Sequence, residues 1–107
     1  MQFVVMARDG SDPDAVARRQ GVRPHHLDGI QPLVDAGNIL AGGAMLDDEG
    51  NMRGSVLLVE FPSRVELDAW LDHDPYVTGG VWKQIEVVPF RVAVGSWMPR
   101  SWIEPLG

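Results

Sequence analysis

Residues 39–61, ILAGGAMLDDEGNMRGSVLLVEF, read as two strands joined by a polar turn. Ile39 to Leu46 is the outgoing strand, with Gly42 and Gly43 inside it, and Ser55 to Phe61 is the return. Between them, Asp47-Asp48-Glu49-Gly50-Asn51 is the polar, glycine-containing connection expected of an antiparallel hairpin. Each arm of this hairpin abuts a helical pattern. Upstream, Leu27, Ile30 and Val34 recur at i, i+3 and i+7, which lines one side of a helix with apolar groups, and Gly37-Asn38 supplies the stop. Downstream, Ser63-Arg64-Val65-Glu66 matches a reciprocal Ser/Glu cap, and Val65, Leu67, Ala69, Trp70 and Leu71 are expected to supply apolar contacts.

Further outward, Asp12-Pro13-Asp14 marks the start of the first helix. Asp12 can accept from free backbone N–H groups, and Pro13 suits the first helical position. Gly21 and Pro24 predict a kink or a fresh start within it. Gln2 to Ala7 is a compact apolar strand closed by Asp9-Gly10. At the other end, Asp74-Pro75-Tyr76 and Gly79-Gly80 form a turn-rich link into a strand over Val81 to Val94, where Pro89 signals an edge, bulge or break.

The resulting order is strand, helix, strand, strand, helix, strand. It predicts an α+β, ferredoxin-like antiparallel sheet with both helices on one face. Both faces of that sheet are apolar. Phe3, Val5 and Ala7 oppose Val4 and Met6, and Leu57, Val59 and Phe61 oppose Val56 and Leu58. Two helices cover only one face, so the other is expected to bury against an identical chain, giving a homodimer through the sheet face. The alternative is a monomer whose C-terminal tail, with Trp97 and Trp102, folds across it.

Composition bounds the function. A chain of 107 residues is one domain, with a core to about residue 95 and a Trp-rich tail over residues 96–107. With 45% hydrophobic and 22% charged residues it is expected to fold. A net charge of −6 argues against nucleic acid, which is held by clustered Lys and Arg. No apolar run approaches the roughly 18 to 20 residues of a membrane span, and the N-terminus lacks a secretion signal, so a cytoplasmic protein without membrane contact is expected. The absence of Cys removes disulfides, thiol nucleophiles and thiolate zinc sites.

The chemistry narrows to His26. At roughly 100° per residue it lies about 40° from Ile30, near the apolar stripe, whereas His25 lies about 140° away. A partly buried imidazole acts as a general base when a carboxylate orients one ring nitrogen and the other meets substrate, and Asp74 is the candidate carboxylate. A histidine at the edge of a core also commonly serves only to satisfy a backbone carbonyl, and Asp before Pro commonly bonds its own turn. No three ligands assemble convincingly from His25, His26, Asp28 and His73, so no metal is expected. Gly42-Gly43 lacks the companions of a phosphate loop, and no nucleotide cofactor is expected. Tyr76 and Trp82 are candidates to line a pocket beside His26. Arg23 is a candidate to pair with a substrate carboxylate, or else with Asp28 or Asp74.

Arg23-Pro24-His25-His26-Leu27, Leu40-Ala41-Gly42-Gly43, Asp74-Pro75-Tyr76, Gly79-Gly80-Val81 and Val87-Val88-Pro89-Phe90, taken in order, resemble the YciI-like, or YCII-related, family. The resemblance runs from the first strand to about Gly95. It implies a dimeric α/β-barrel, in which two ferredoxin-like subunits pack their sheets together, and a His and Asp pair, here His26 and Asp74. Some similar proteins dechlorinate chloromuconolactones, and muconolactone isomerases share the wider superfamily. The expected function is therefore cofactor-independent proton transfer or elimination on a small lactone-like or carboxylated molecule. His26 would take the proton, Asp74 would hold its tautomer, Arg23 would attract a carboxylate, and Gly42, Gly43, Tyr76 and Trp82 would shape the pocket. The alternative is a non-catalytic dimeric module that binds a metabolite or a protein. Gly43 stands where the family frequently has Pro, and the Trp-rich tail is a second departure.

Overall fold

β1 (Gln2–Asp9) lies inside a four-stranded antiparallel sheet of order β2-β3-β1-β4. The computed structural model describes residues 1–96 and contains, after β1, α1 (Ala15–Asp35), β2 (Ile39–Leu46), β3 (Met52–Glu60), α2 (Arg64–His73), a short α3 (Pro75–Thr78) and β4 (Trp82–Phe90). This is the ferredoxin-like α+β architecture. Residues 97–107, which hold both tail tryptophans, lie outside the described residues.

The register accounts for the two faces. Val5 is paired with Leu57 on one side and Val87 on the other, and Phe3 with Val59 and Pro89. Phe3, Val5, Ala7, Leu57 and Val59 are buried and share one core with Leu67 and Leu71 of α2. Full burial of a side chain such as Val5 or Leu67 contributes about 1.5–3 kcal/mol. On the opposite face Val4, Met6 and Leu58 are half-buried, while Val56 and Phe90 are 39% and 48% exposed. Gly54 permits the close passage of β3 past β1, since a Cβ there would meet the Ala7 carbonyl oxygen at 2.5 Å.

Several local expectations are corrected. α1 runs unbroken through both Pro24 and Pro32, with no fresh start at Gly21. The two backbone bonds that these prolines cannot make belong to the carbonyls of Gln20 and Asp28, both exposed residues, where water can take the place of the missing N–H. The opposite side of the helix is held by buried Arg19 and His26. The helix begins at Ala15, with Asp14 as its N-cap, and the Asp12 carboxylate does not cap it. Instead Asp12 takes a two-pronged contact from Arg18 at 2.7 and 3.1 Å, because a guanidinium is a stronger donor than a neutral N–H. That hydrogen bond holds the Asp12 carboxyl at about 2, so the exposed bridge persists until the pH falls that far.

Gly37, with φ of 82°, ends α1, its N–H donating to the Val34 carbonyl at 3.1 Å. Ser63 caps α2, accepting from the Glu66 N–H at 3.5 Å, but its hydroxyl donates to the Glu66 carboxylate at 2.9 Å, so that the carboxylate is not spent on the Ser63 backbone. The turn-rich link condenses into α3. The last strand stops at Phe90, before Val94, and carries Pro89 on an outer strand that pairs only with β1, where the missing N–H is not needed. No described helix is long and apolar enough to cross a membrane.

Candidate functional site

α1 lies over the β2–β3 half of the sheet without closing on it, leaving a cavity of about 310 Å³. Leu27, Ile30 and Val34 form one wall, so the apolar stripe of α1 lines open space more than it fills the core; Leu27 and Val34 remain exposed. Gly42 and Gly43 contribute from β2. A Cβ on Gly42 would strike the Leu57 side chain, whereas Gly43 has open space around it.

At the polar end stands His26, which is 5% exposed. Its Nδ1 lies 2.8 and 3.1 Å from the two Asp74 carboxylate oxygens. Asp74 is held in turn by the Tyr76 backbone N–H at 2.9 Å, as the N-cap of α3. This second duty explains why a four-residue helix occupies the link: the cap that starts α3 also aims the carboxylate at α1. In a neutral imidazole facing a carboxylate, the proton sits on Nδ1 and the lone pair on Nε2. Among the described residues nothing bonds Nε2, and His26 lines the cavity.

Tyr76 stacks on the imidazole with ring centroids 3.8 Å apart and an interplanar angle of 14°. Burial pushes its phenol above the ordinary value, so the ring packs as a neutral group. Trp82 meets His26 edge-on at 5.6 Å, but it is not among the cavity's lining residues, in contrast to expectation. Arg23 reaches the cavity from an exposed position and pairs with neither Asp28 nor Asp74 among the described residues. His25 is exposed, and His73 sits at the end of α2 with Nδ1 2.8 Å from the Ala69 carbonyl. No cluster of three His, Asp or Glu side chains suited to a metal ion occurs among the described residues.

Three polar residues of the site escaped the sequence reading. Arg19 is buried and donates to both Asp9 oxygens at 3.0 and 3.1 Å. It also donates to Ser55 Oγ at 2.7 Å, and its guanidinium carbon lies 4.7 Å above the Tyr76 ring. Signals for these residues did exist. Arg19 precedes His26 by seven positions, two helical turns on the same face, and Ser55 is the polar member of the buried phase Ser55, Leu57, Val59.

Comparison with known proteins supports the fold and gives the family. The profile of the YCII-related domain matches residues 1–91. Protein YciI of Escherichia coli and of Shigella flexneri is 37% identical over 97 residues, covering 85% of this chain and 97% of theirs. Among solved structures, a 5-chloro-2-hydroxyhydroquinone dehydrochlorinase from Burkholderia phenoliruptrix, in complex with 2,5-dihydroxybenzoquinone, superposes with a TM-score of 0.74 at 27% identity, covering 85% of this chain and 94% of its own. A dimeric ferredoxin-like protein from Jannaschia shares the fold, with a TM-score of 0.50 at 16% identity over 85% of this chain and 98% of its own. The profile match over residues 1–91 and the 37% identity to YciI show that the chain belongs to the YCII-related family.

Proposed function

We propose that this protein is a small-molecule enzyme in which His26 removes a proton from an oxygenated organic ring or a lactone-like, carboxylated relative, without a cofactor, with elimination of a leaving group where one is present. The observation that carries the reading is the His26 imidazole, which lines the cavity, is anchored through Nδ1 to Asp74 at 2.8 Å and has an Nε2 bonded by none of the described residues. In the elimination, the substrate's proton passes to Nε2, the released electron pair forms a new double bond, and chloride departs with its own pair. Asp74 stabilises the imidazolium, Arg23 attracts an anionic substituent, and Gly42, Gly43 and Tyr76 shape the walls; Trp82 supports His26 edge-on. The similarity to a dehydrochlorinase supports elimination as the reaction to test first.

Two measurements test this. Nitrogen NMR of His26 in its neutral form is expected to report a protonated Nδ1 and a bare Nε2; the opposite tautomer removes the base. With 5-chloro-2-hydroxyhydroquinone as substrate, His26→Ala is expected to lower chloride release by about a hundredfold or more while the fold is kept. Turnover that survives the change assigns the chemistry elsewhere.

The homodimer belongs to the same proposal. On the sheet face away from the core, the described residues Val4, Met6, Val56, Leu58, Val88 and Phe90 form an apolar patch beside Glu86, as the centre of a buried interface requires, and the Jannaschia protein of like fold is described as dimeric. Sedimentation is expected to give twice the chain mass, and Val56→Glu to halve it; a native monomer refutes the pairing.

A further inference from the structure

We propose that the Ser55 hydroxyl is the cavity's donor to a ring oxygen of the ligand, a carbonyl or phenolate, set against His26 as proton acceptor. Ser55 is 4% exposed and lines the cavity. Its Oγ accepts from Arg19 Nη2 at 2.7 Å and from Trp82 Nε1 at 3.2 Å. Guanidinium and indole N–H groups can only donate, so both lone pairs of the hydroxyl are taken. Its own proton finds no acceptor among the described residues. Such a hydroxyl can only give that proton to something in the cavity.

The Arg19 cation strengthens this donor by polarising the O–H bond, which favours an acceptor that carries or gains negative charge. Arg19 Nη1 is engaged by Asp9 and its Nη2 by Ser55, so through Ser55 the cation strengthens the bond to the ligand. Two short chains of contact place Ser55 and His26 at the same end of the cavity. One runs through Trp82, which touches Ser55 and meets His26 edge-on at 5.6 Å. The other runs through Arg19 and Tyr76, 4.7 Å apart, to the imidazole stacked 3.8 Å from Tyr76.

A ligand that satisfies both groups offers a proton to His26 and an oxygen to Ser55. Hydroxylated ring ketones and quinols have this pattern. When the proton leaves for Nε2, its bonding pair spreads onto the ring oxygen, and the Ser55 hydrogen bond tightens without transferring its own proton. This substrate class rests on the reading of His26 as the base.

The test uses 2,5-dihydroxybenzoquinone as probe, with calorimetry for affinity and difference infrared spectroscopy for its carbonyl stretch. Native protein and Ser55→Thr, which keeps the hydroxyl, are expected to shift the stretch to lower frequency. Ser55→Ala is expected to lose that shift and bind about tenfold or more weakly. Native affinity and an unchanged shift in Ser55→Ala overturn the proposal. Should Ser55→Ala fail to fold, Ser55→Cys replaces it: a thiol donates weakly, so the shift should shrink, and a full shift again overturns the assignment. Failure of the native protein to bind the probe overturns the ring-oxygen ligand, while the His26 tautomer, measured without any ligand, still judges the base.

Discussion

Asp9→Ala is expected to leave the protein barely folded, with its unfolding temperature lowered by well over about 10 °C. The reason is the position of the ion pair. The Arg19 and Asp9 side chains are 4% and 2% exposed and 3.0 Å apart, at the end of β1 and on the inner face of α1. Deleting one partner strands a guanidinium without its counter-charge, a change that costs about 3–5 kcal/mol in buried pairs. A domain of this size has a total stability of only about 5–15 kcal/mol, and each kcal/mol moves the midpoint by about 4–8 °C. Among the described residues Arg19 has no other acceptor able to replace the carboxylate, since Ser55 is a neutral hydroxyl already shared with Trp82. Replacing both charges, as Asp9→Leu with Arg19→Met, should recover much of the loss, because the pair repays its own desolvation poorly. Thermal unfolding followed by circular dichroism decides it. A midpoint within a few degrees of native for Asp9→Ala would mean that water reaches and solvates the guanidinium.

The second large effect concerns rate with little change in stability. In Asp74→Asn the side-chain oxygen can still accept from the Tyr76 N–H, so α3 keeps its cap, and the amide NH₂ then takes the place of the other carboxylate oxygen, 3.1 Å from His26 Nδ1. An N–H donor facing Nδ1 forces the neutral imidazole to accept there and to carry its proton on Nε2. Nε2, which no described residue bonds, then becomes a donor and can no longer take a proton. Under the proposed elimination, chloride release from 5-chloro-2-hydroxyhydroquinone is expected to fall by about a hundredfold or more, with the unfolding midpoint shifted by a few degrees at most. Asp74→Ala should lose the rate and, in addition, about 1 kcal/mol from the missing cap. The nitrogen spectrum separates the causes: a protonated Nε2 accompanies the loss in the Asn variant. Native turnover in Asp74→Asn would end the role of Asp74 in setting the tautomer.

The hairpin over residues 39–61, the alternation of β1 and β3 and the glycine stop of α1 were legible because each is a local rule with a short period. The inward placement of His26 followed from helical geometry relative to Ile30, although the stripe it belongs to turned out to border a cavity. Periodicity reports which face a residue is on, not whether a neighbour fills the space beyond it. Gly21 and Pro24 misled the reading of α1, since a local penalty counts for less when the orphaned carbonyl faces water and the other side of the helix is anchored.

What residue order alone decided about this protein is therefore the succession of elements, the two-faced sheet and the side of α1 on which His26 stands. Only tertiary structure decided the partners. His26 and Asp74 are 48 positions apart, and Arg19 and Ser55 are 36 apart. Trp82 likewise stands outside the cavity's lining, edge-on to the histidine and bonded to Ser55. Charge pairing and hydrogen bonding act over about 3 Å, while sequence patterns extend only a few turns or strand steps, so which polar groups meet is settled when the sheet register and the seating of α1 bring distant chain segments together.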